Sequence, residues 1–187
     1  MKYLIAGLGN VGDEYTETRH NIGFKIVEAL AEEAGASFFS SRLADVCEMK
    51  VKGKQLILIK PTTFMNLSGK AVKYWMTENK IVKENILVIV DDLALPFGSL
   101  RMRHRGSDGN HNGLTSVHES LGTDAYARLR FGIGAEFKKG SQVNYVLGKW
   151  NETEMKTLNE KIKLAGEAVK SFALQGIERT MNQFNTK

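Results

Sequence analysis

The sequence predicts an α/β fold: a single-domain three-layer sandwich over residues 1–187, with a twisted mixed, mostly parallel sheet flanked by helices. Three observations lead there. Segments of strand character alternate with segments of helical spacing, the order that produces a sheet covered by helices. Residues 86–90, Ile-Leu-Val-Ile-Val, form an unbroken apolar run of the kind buried on both faces of a central strand. No repeat, low-complexity tract or linker divides the chain, which holds only two prolines.

The elements follow in order. Residues 3–6 read as a buried strand closed by Gly7-Leu8-Gly9-Asn10. Residues 20–34 have helical spacing, with Ile22, Ile26, Val27, Leu30 and Ala31 on one face and Gly35 as the stop. Residues 46–51 and 56–59 are two strands around Lys52-Gly53-Lys54, a hairpin. Asn66 or Ser68 can cap a helix running to Met76. The strand at 86–90 ends abruptly at Asp91-Asp92, and Asn112 can cap a short helix to Leu121. Residues 129–133 are a further strand. A long amphipathic helix spans 152–174, and Gly176 separates it from a last helical piece.

Composition narrows the class. Hydrophobic residues at 42% and charged residues at 25% are ordinary for a folded protein and argue against disorder. A single cysteine, Cys47, excludes an internal disulfide framework and a Cys-rich zinc site, and fits the reducing cytosol. The apolar run after Lys2 is too short for a signal-peptide core, and no stretch approaches the ~20 apolar residues that cross a bilayer. A cytoplasmic protein without membrane association is expected. The 26 basic residues exceed the 21 acids only mildly, but their placement is uneven. Arg101, Arg103, His104 and Arg105 crowd one segment, and Arg128, Arg130, Lys138 and Lys139 follow. Such a basic stretch suits a polyanionic partner.

Several motifs invite a function and fail. Gly7-Leu8-Gly9-Asn10-Val11-Gly12 spells the dinucleotide fingerprint, but a helix must start at those glycines, and here a polar loop follows. A tight strand-to-loop turn is the better reading. A nucleotide-dependent oxidoreductase is therefore the weaker rival. Gly69-Lys70 suggests a phosphate-binding loop, yet Ala71 stands where the magnesium-binding hydroxyl belongs. The four histidines lack the spacing of a zinc site, and no metal or other cofactor is expected.

What remains is convergence. Asn10, Asn66, Asp91 and Asn112 flank predicted strand ends, and His20 closes the loop after the first strand. Doubly wound sheets gather such ends in one crevice. There is no Gly-x-Ser-x-Gly elbow, and Cys47 lies inside a strand, so an activated nucleophile is missing. The chemistry implied is attack by water, with His20 as general base and Asp91 holding its tautomer. Carboxamides offer donor and acceptor together and suit the gripping of peptide groups.

Gly7-Leu8-Gly9-Asn10 with Tyr15, Thr18-Arg19-His20-Asn21, the segment 61–70 (Pro-Thr-Thr-Phe-Met-Asn-Leu-Ser-Gly-Lys), Val90-Asp91-Asp92 and His111-Asn112-Gly113 together resemble the bacterial peptidyl-tRNA hydrolase family. The likeness runs in order and spacing from residue 1 to about residue 150. It implies hydrolysis of the ester between peptide and tRNA in peptidyl-tRNAs lost from ribosomes, by a monomer needing no protein partner. By position, His20 resembles the catalytic base, Asp91 its supporting carboxylate, and Asn10 the residue that orients peptide or water. Tyr15, Phe64, Asn66 and Asn112 resemble substrate-contacting positions, and Met65 lines the same cleft. Arg103 and Arg130 fall where the family places basic tRNA-binding residues. The chain departs from the family pattern at Val11, Asp92, Ala94 and Asn110, none of them the base or its carboxylate. A same-fold RNA-binding factor without hydrolysis is the other rival.

Overall fold

The computed structural model describes residues 1–186. Seven strands form one sheet in the order β2-β3-β4-β1-β5-β7-β6. They are β1 (Lys2–Gly7), β2 (Phe39–Ser40), β3 (Ala44–Val51), β4 (Lys54–Pro61), β5 (Ile86–Asp92), β6 (Leu100–Arg103) and β7 (Ala127–Gly132). The helices are α1 (Ile22–Glu33), α2 (Ser68–Glu78), α3 (Asn112–Leu121), α4 (Gln142–Val146), α5 (Glu152–Gln175) and α6 (Ile177–Phe184). The four central strands run parallel, and antiparallel strands flank them on both sides.

Because successive strand side chains point to opposite faces, the sheet carries two cores. Ile5, Leu58, Leu87, Ile89 and Leu129 meet α1 and α5 on one face. Leu4, Ala6, Ile57, Val88 and Val90 meet α2 and α3 on the other. The same parity puts Asp91 on the α1 face, in step with Leu87 and Ile89. The strand run at 86–90 is indeed central and fully buried.

Chain order reverses at β1, whose neighbours β4 and β5 both lie parallel to it. The crevice beyond the carboxyl ends of these strands is where such sheets bind ligands. Helix α1 approaches β1 closely. A Cβ at Gly7 would lie 2.1 Å from the Gly23 carbonyl oxygen, and one at Gly23 would lie 2.5 Å from the Leu8 nitrogen. Gly7 is thus required by helix-on-strand packing, in addition to the turn read from sequence.

Several expectations are corrected. The helix expected from residue 20 begins at Ile22, after a 3-10 turn over Arg19–Asn21. Neither Asn66 nor Ser68 caps α2: a 3-10 turn, Met65–Leu67, leads into it, and the Ser68 hydroxyl donates to the Met65 carbonyl instead. Asn112 is not the cap of α3, because His111 takes that place through its Nδ1. The strand expected at 129–133 is Ala127–Gly132. The hairpin turn at Lys52-Gly53, with both residues at positive φ, and the long helix from residue 152 stand as expected. Strands β2 and β6 and helix α4 were not anticipated. In β6 the inward Leu100 and Met102 alternate with Arg101 and Arg103, so the basic cluster masked a short strand.

Candidate active site

Asp91 is the next-to-last residue of β5 and is buried. His20 reaches it from the turn before α1: its Nδ1 lies 2.9 Å from Asp91 Oδ1 and 3.0 Å from Oδ2. The carboxylate can only accept, so Nδ1 carries the proton and Nε2 keeps its lone pair. Burial opposes the charged imidazole, but the Asp91 carboxylate outweighs it and holds the His20 pKa above the ordinary histidine value. Burial would likewise raise the Asp91 carboxyl. The two imidazoles facing it, His20 and His111, hold it well below the usual carboxylate range.

The second imidazole was missed at the sequence level. His111 Nε2 lies 2.8 Å from Asp91 Oδ1, and its ring centroid is 4.9 Å from that of His20. His111 Nδ1 accepts from the backbone amides of Gly113 and Leu114 at the start of α3. That capping role settles the tautomer: the proton sits on Nε2 and points at Asp91. The available signal was a histidine just before a helix with a glycine at 113, which is also what an ordinary cap looks like.

His20, Asp91 and His111 place donor atoms within 4.8 Å of one another, a set with metal-ligand types. The fit to a cation is poor. Both facing nitrogens carry protons as argued above, whereas a metal needs their lone pairs. The N···O spacings of 2.8–2.9 Å are those of hydrogen bonds.

Around this centre the predicted residues divide. Asn10 is held by Asn21, which donates from Nδ2 to the Asn10 carbonyl and accepts from the Asn10 amide at Oδ1. Asn10 Oδ1 in turn accepts from the Met65 amide at 2.7 Å, so the loops after β1 and β4 are locked together. Asn21, unassigned from sequence beyond its motif, is therefore the residue that presents Asn10. Met65 is buried, and its sulfur lies against Gly113, beside His111. Asn66 is exposed nearby, and Phe64 projects with 55% of its surface open. Tyr15 is half-buried in the turn that precedes His20.

A cleft of about 500 Å³ opens over the centre, lined by His20, Asp91, His111, Asn112, Arg101 and Arg130 among others. Asn10, Tyr15, Phe64, Met65 and Asn66 are not among its walls. Arg130 donates to the Ser107 carbonyl and lies 3.8 Å from Asp92. Arg101 stands opposite it across the β6–β7 pair. Arg103 is half-buried further along β6 and does not line the cleft. Arg128 is a correction to the basic cluster. It is fully buried, donating to the carbonyls of Gly106, Asp124 and Tyr126 and to His118 Nε2, and is out of reach of any phosphate.

The sequence profile described as "Peptidyl-tRNA hydrolase" matches residues 4–187. The chain is 58% identical to the peptidyl-tRNA hydrolase of Cytophaga hutchinsonii and 57% identical to that of Bacteroides fragilis, in each case over the whole of both chains. Its structure is similar to the crystal structure of peptidyl-tRNA hydrolase from Acinetobacter baumannii, with a TM-score of 0.91 and 34% identity, over 98% of this chain and 94% of that one.

Proposed function

The chain belongs to the peptidyl-tRNA hydrolase family and hydrolyses the ester between peptide and tRNA; we propose that His20 is the general base of this reaction, with Asp91 as its partner. One observation carries the assignment: the hydrogen bond to Asp91 occupies Nδ1 and leaves Nε2 free on an imidazole that lines the cleft.

His20 Nε2 takes a proton from a water while the water oxygen attacks the ester carbonyl. The carbon–oxygen bond to the terminal ribose then breaks, and the ribose oxygen leaves with the proton that His20 Nε2 gives up, which restores the neutral base. A ribose oxygen beside a second hydroxyl is a good enough leaving group that no covalent intermediate is required. General-base catalysis supplies about 10²–10⁴-fold, and orientation of ester and water supplies more. Asn10 offers Nδ2–H to the peptide carbonyl or the water, since its Oδ1 is engaged by Met65. Asn66 and Asn112 grip the peptide backbone through their amides, so cleavage does not depend on peptide sequence. Tyr15, Phe64 and Met65 complete the substrate surface. Arg103 and Arg130 meet tRNA phosphates without reading bases.

Among the described residues no helix is long and apolar enough to cross a membrane. We further propose a cytoplasmic monomer, folded as one domain over residues 1–187, that acts on peptidyl-tRNAs released from stalled ribosomes. The test is release of peptide from peptidyl-tRNA by wild type and His20→Ala. Turnover in the first and near-complete loss in a folded second are expected. Normal turnover in folded His20→Ala would remove His20 as the base, and no release by wild type would favour an RNA-binding factor.

A further inference from the structure

We infer that Arg19 is a positioning residue: its buried guanidinium ties the turn that carries the base to α4 and the start of α5, and so sets the geometry of His20 against Asp91. The inference presupposes His20 as the base.

Arg19 precedes His20 in the chain and is almost fully buried. Its Nη2 lies 2.9 Å from Glu154 Oε1, near the start of α5, and both side chains are about nine-tenths covered. Its Nη1 donates to the Tyr145 carbonyl at 3.1 Å, and the guanidinium stacks 4.2 Å from the Tyr145 ring. Its backbone amide donates to the Gly148 carbonyl, and Thr18 forms a β-bridge with Lys149. Glu154 is itself fixed, because the same Oε1 accepts from the Asn151 amide in the capping box of α5. Residues 18–19 are therefore pinned at several points to residues 145–154. Tyr145 belongs to α4, whose Gln142, Val143 and Val146 line the same cleft as His20.

A buried ion pair is a poor way to gain stability, since apolar residues of like volume often do as well or better. What a guanidinium adds is direction: a rigid planar fork that satisfies a carboxylate and a carbonyl at once, which a lysine ammonium on a flexible stem does not reproduce. The 3-10 turn Arg19–Asn21 has only three residues, leaving little slack between Arg19 and the imidazole. A shift of Arg19 is passed on to His20, whose Nδ1 is centred between both oxygens of Asp91. The charged and titratable groups facing this pair are few. Asp91 and His111 face His20, while Glu154 and Tyr145 face Arg19.

Arg19→Lys keeps the charge and removes the fork, and Glu154→Gln keeps the shape and removes the anion. Both are assayed on peptidyl-tRNA for kcat, KM and the acid limb of kcat/KM, with folding checked by near-UV circular dichroism. The His20 imidazole is titrated in parallel by NMR. In Arg19→Lys, kcat is expected to fall by about 10- to 100-fold, the scale of a sub-ångström to ångström misplacement, with little change in KM. The His20 titration should move to lower pH as its contact with Asp91 loosens. Glu154→Gln should change both readouts in the same direction and by less, and it decides the matter if Arg19→Lys does not fold. Wild-type kcat and an unmoved His20 titration in a folded variant would overturn the inference. His20→Ala and Asp91→Asn are the controls. Normal turnover in folded His20→Ala fails the base assignment. An unmoved His20 titration in Asp91→Asn separates Asp91 from the base and takes the positioning role with it. If Asp91→Asn moves the titration while the Arg19 and Glu154 variants do not, only the positioning role fails.

Discussion

At the scale of single residues, the site is two imidazoles competing for one carboxylate. His20 gains basicity from Asp91, while His111 donates to the same Oδ1 and steadies it. The base must be neutral to act, so activity falls as pH drops through its pKa. In wild type the acid limb of kcat/KM should therefore lie above the ordinary histidine value of about 6.5. Asp91→Asn removes the anion and leaves burial, which favours the neutral ring. The limb should then shift below about 6.5, with a lower plateau because the tautomer is no longer enforced. A pH–rate series on the two proteins measures it, and an unmoved limb would separate Asp91 from the base. Arg128 makes the opposite point. Nothing in its sequence setting marks it off from Arg130, two positions on, yet the first is sealed in the fold and the second lines the cleft. Arg128→Leu would leave the Gly106 and Tyr126 carbonyls without these donors, at about 1–3 kcal/mol for each buried group stranded. Its unfolding midpoint should drop sharply, while tRNA affinity per folded molecule stays near that of wild type.

At the scale of elements, the active centre is a consequence of how closely α1 lies on the sheet. Gly7 and Gly23 face one another, and a Cβ on Gly23 would meet the Leu8 nitrogen, the Leu8 oxygen and the Ile89 oxygen, all at 2.7 Å or less and all backbone. None of these can yield without moving a strand. Gly23→Ala should cost at least about 2 kcal/mol, within or above the usual range for overpacking, measured by denaturant unfolding. Its activity should fall further than its stability, because the turn that carries His20 runs straight into the displaced helix. A Gly23→Ala protein with wild-type stability would show that α1 has room to spare. The glycines at positions 7 and 9 were legible as a turn. Their packing role was not, since it depends on a helix that begins at Ile22 crossing the same strand. Helix caps were equally ambiguous, because Asn66, Ser68, His111 and Asn112 all suit a helix start, and tertiary partners chose among them.

At the scale of the whole molecule, the proposed reading divides binding between a cleft that would hold the ester and a basic margin that would meet phosphates. Arg101 and Arg130 stand across from each other on β6 and β7, and Arg103 continues along the same strand. Phosphate contacts release counterions, so affinity for tRNA should fall steeply with added salt. The rate on a minimal peptidyl ester, which lacks the phosphates, should change little. Measuring both between low and physiological salt tests the division, and equal insensitivity of the two would undo it.

The sequence by itself determined the alternation of strands and helices and the central strand at 86–90, and it picked out the residue types of the proposed site: one imidazole, one carboxylate near a strand end, and carboxamides near other strand ends. These are local properties, set by side-chain periodicity and by where polar residues interrupt apolar runs. Only the tertiary structure decided that His111 shares Asp91 with His20, that Asn21 presents Asn10 to Met65, that Arg128 is sealed inside, and that Arg19 is latched to Glu154. Each of those pairings joins residues that are unremarkable in their own neighbourhoods. Hydrogen bonding and burial are selected by which groups meet in space once the chain has closed on itself, and that meeting leaves no mark on the spacing of either partner.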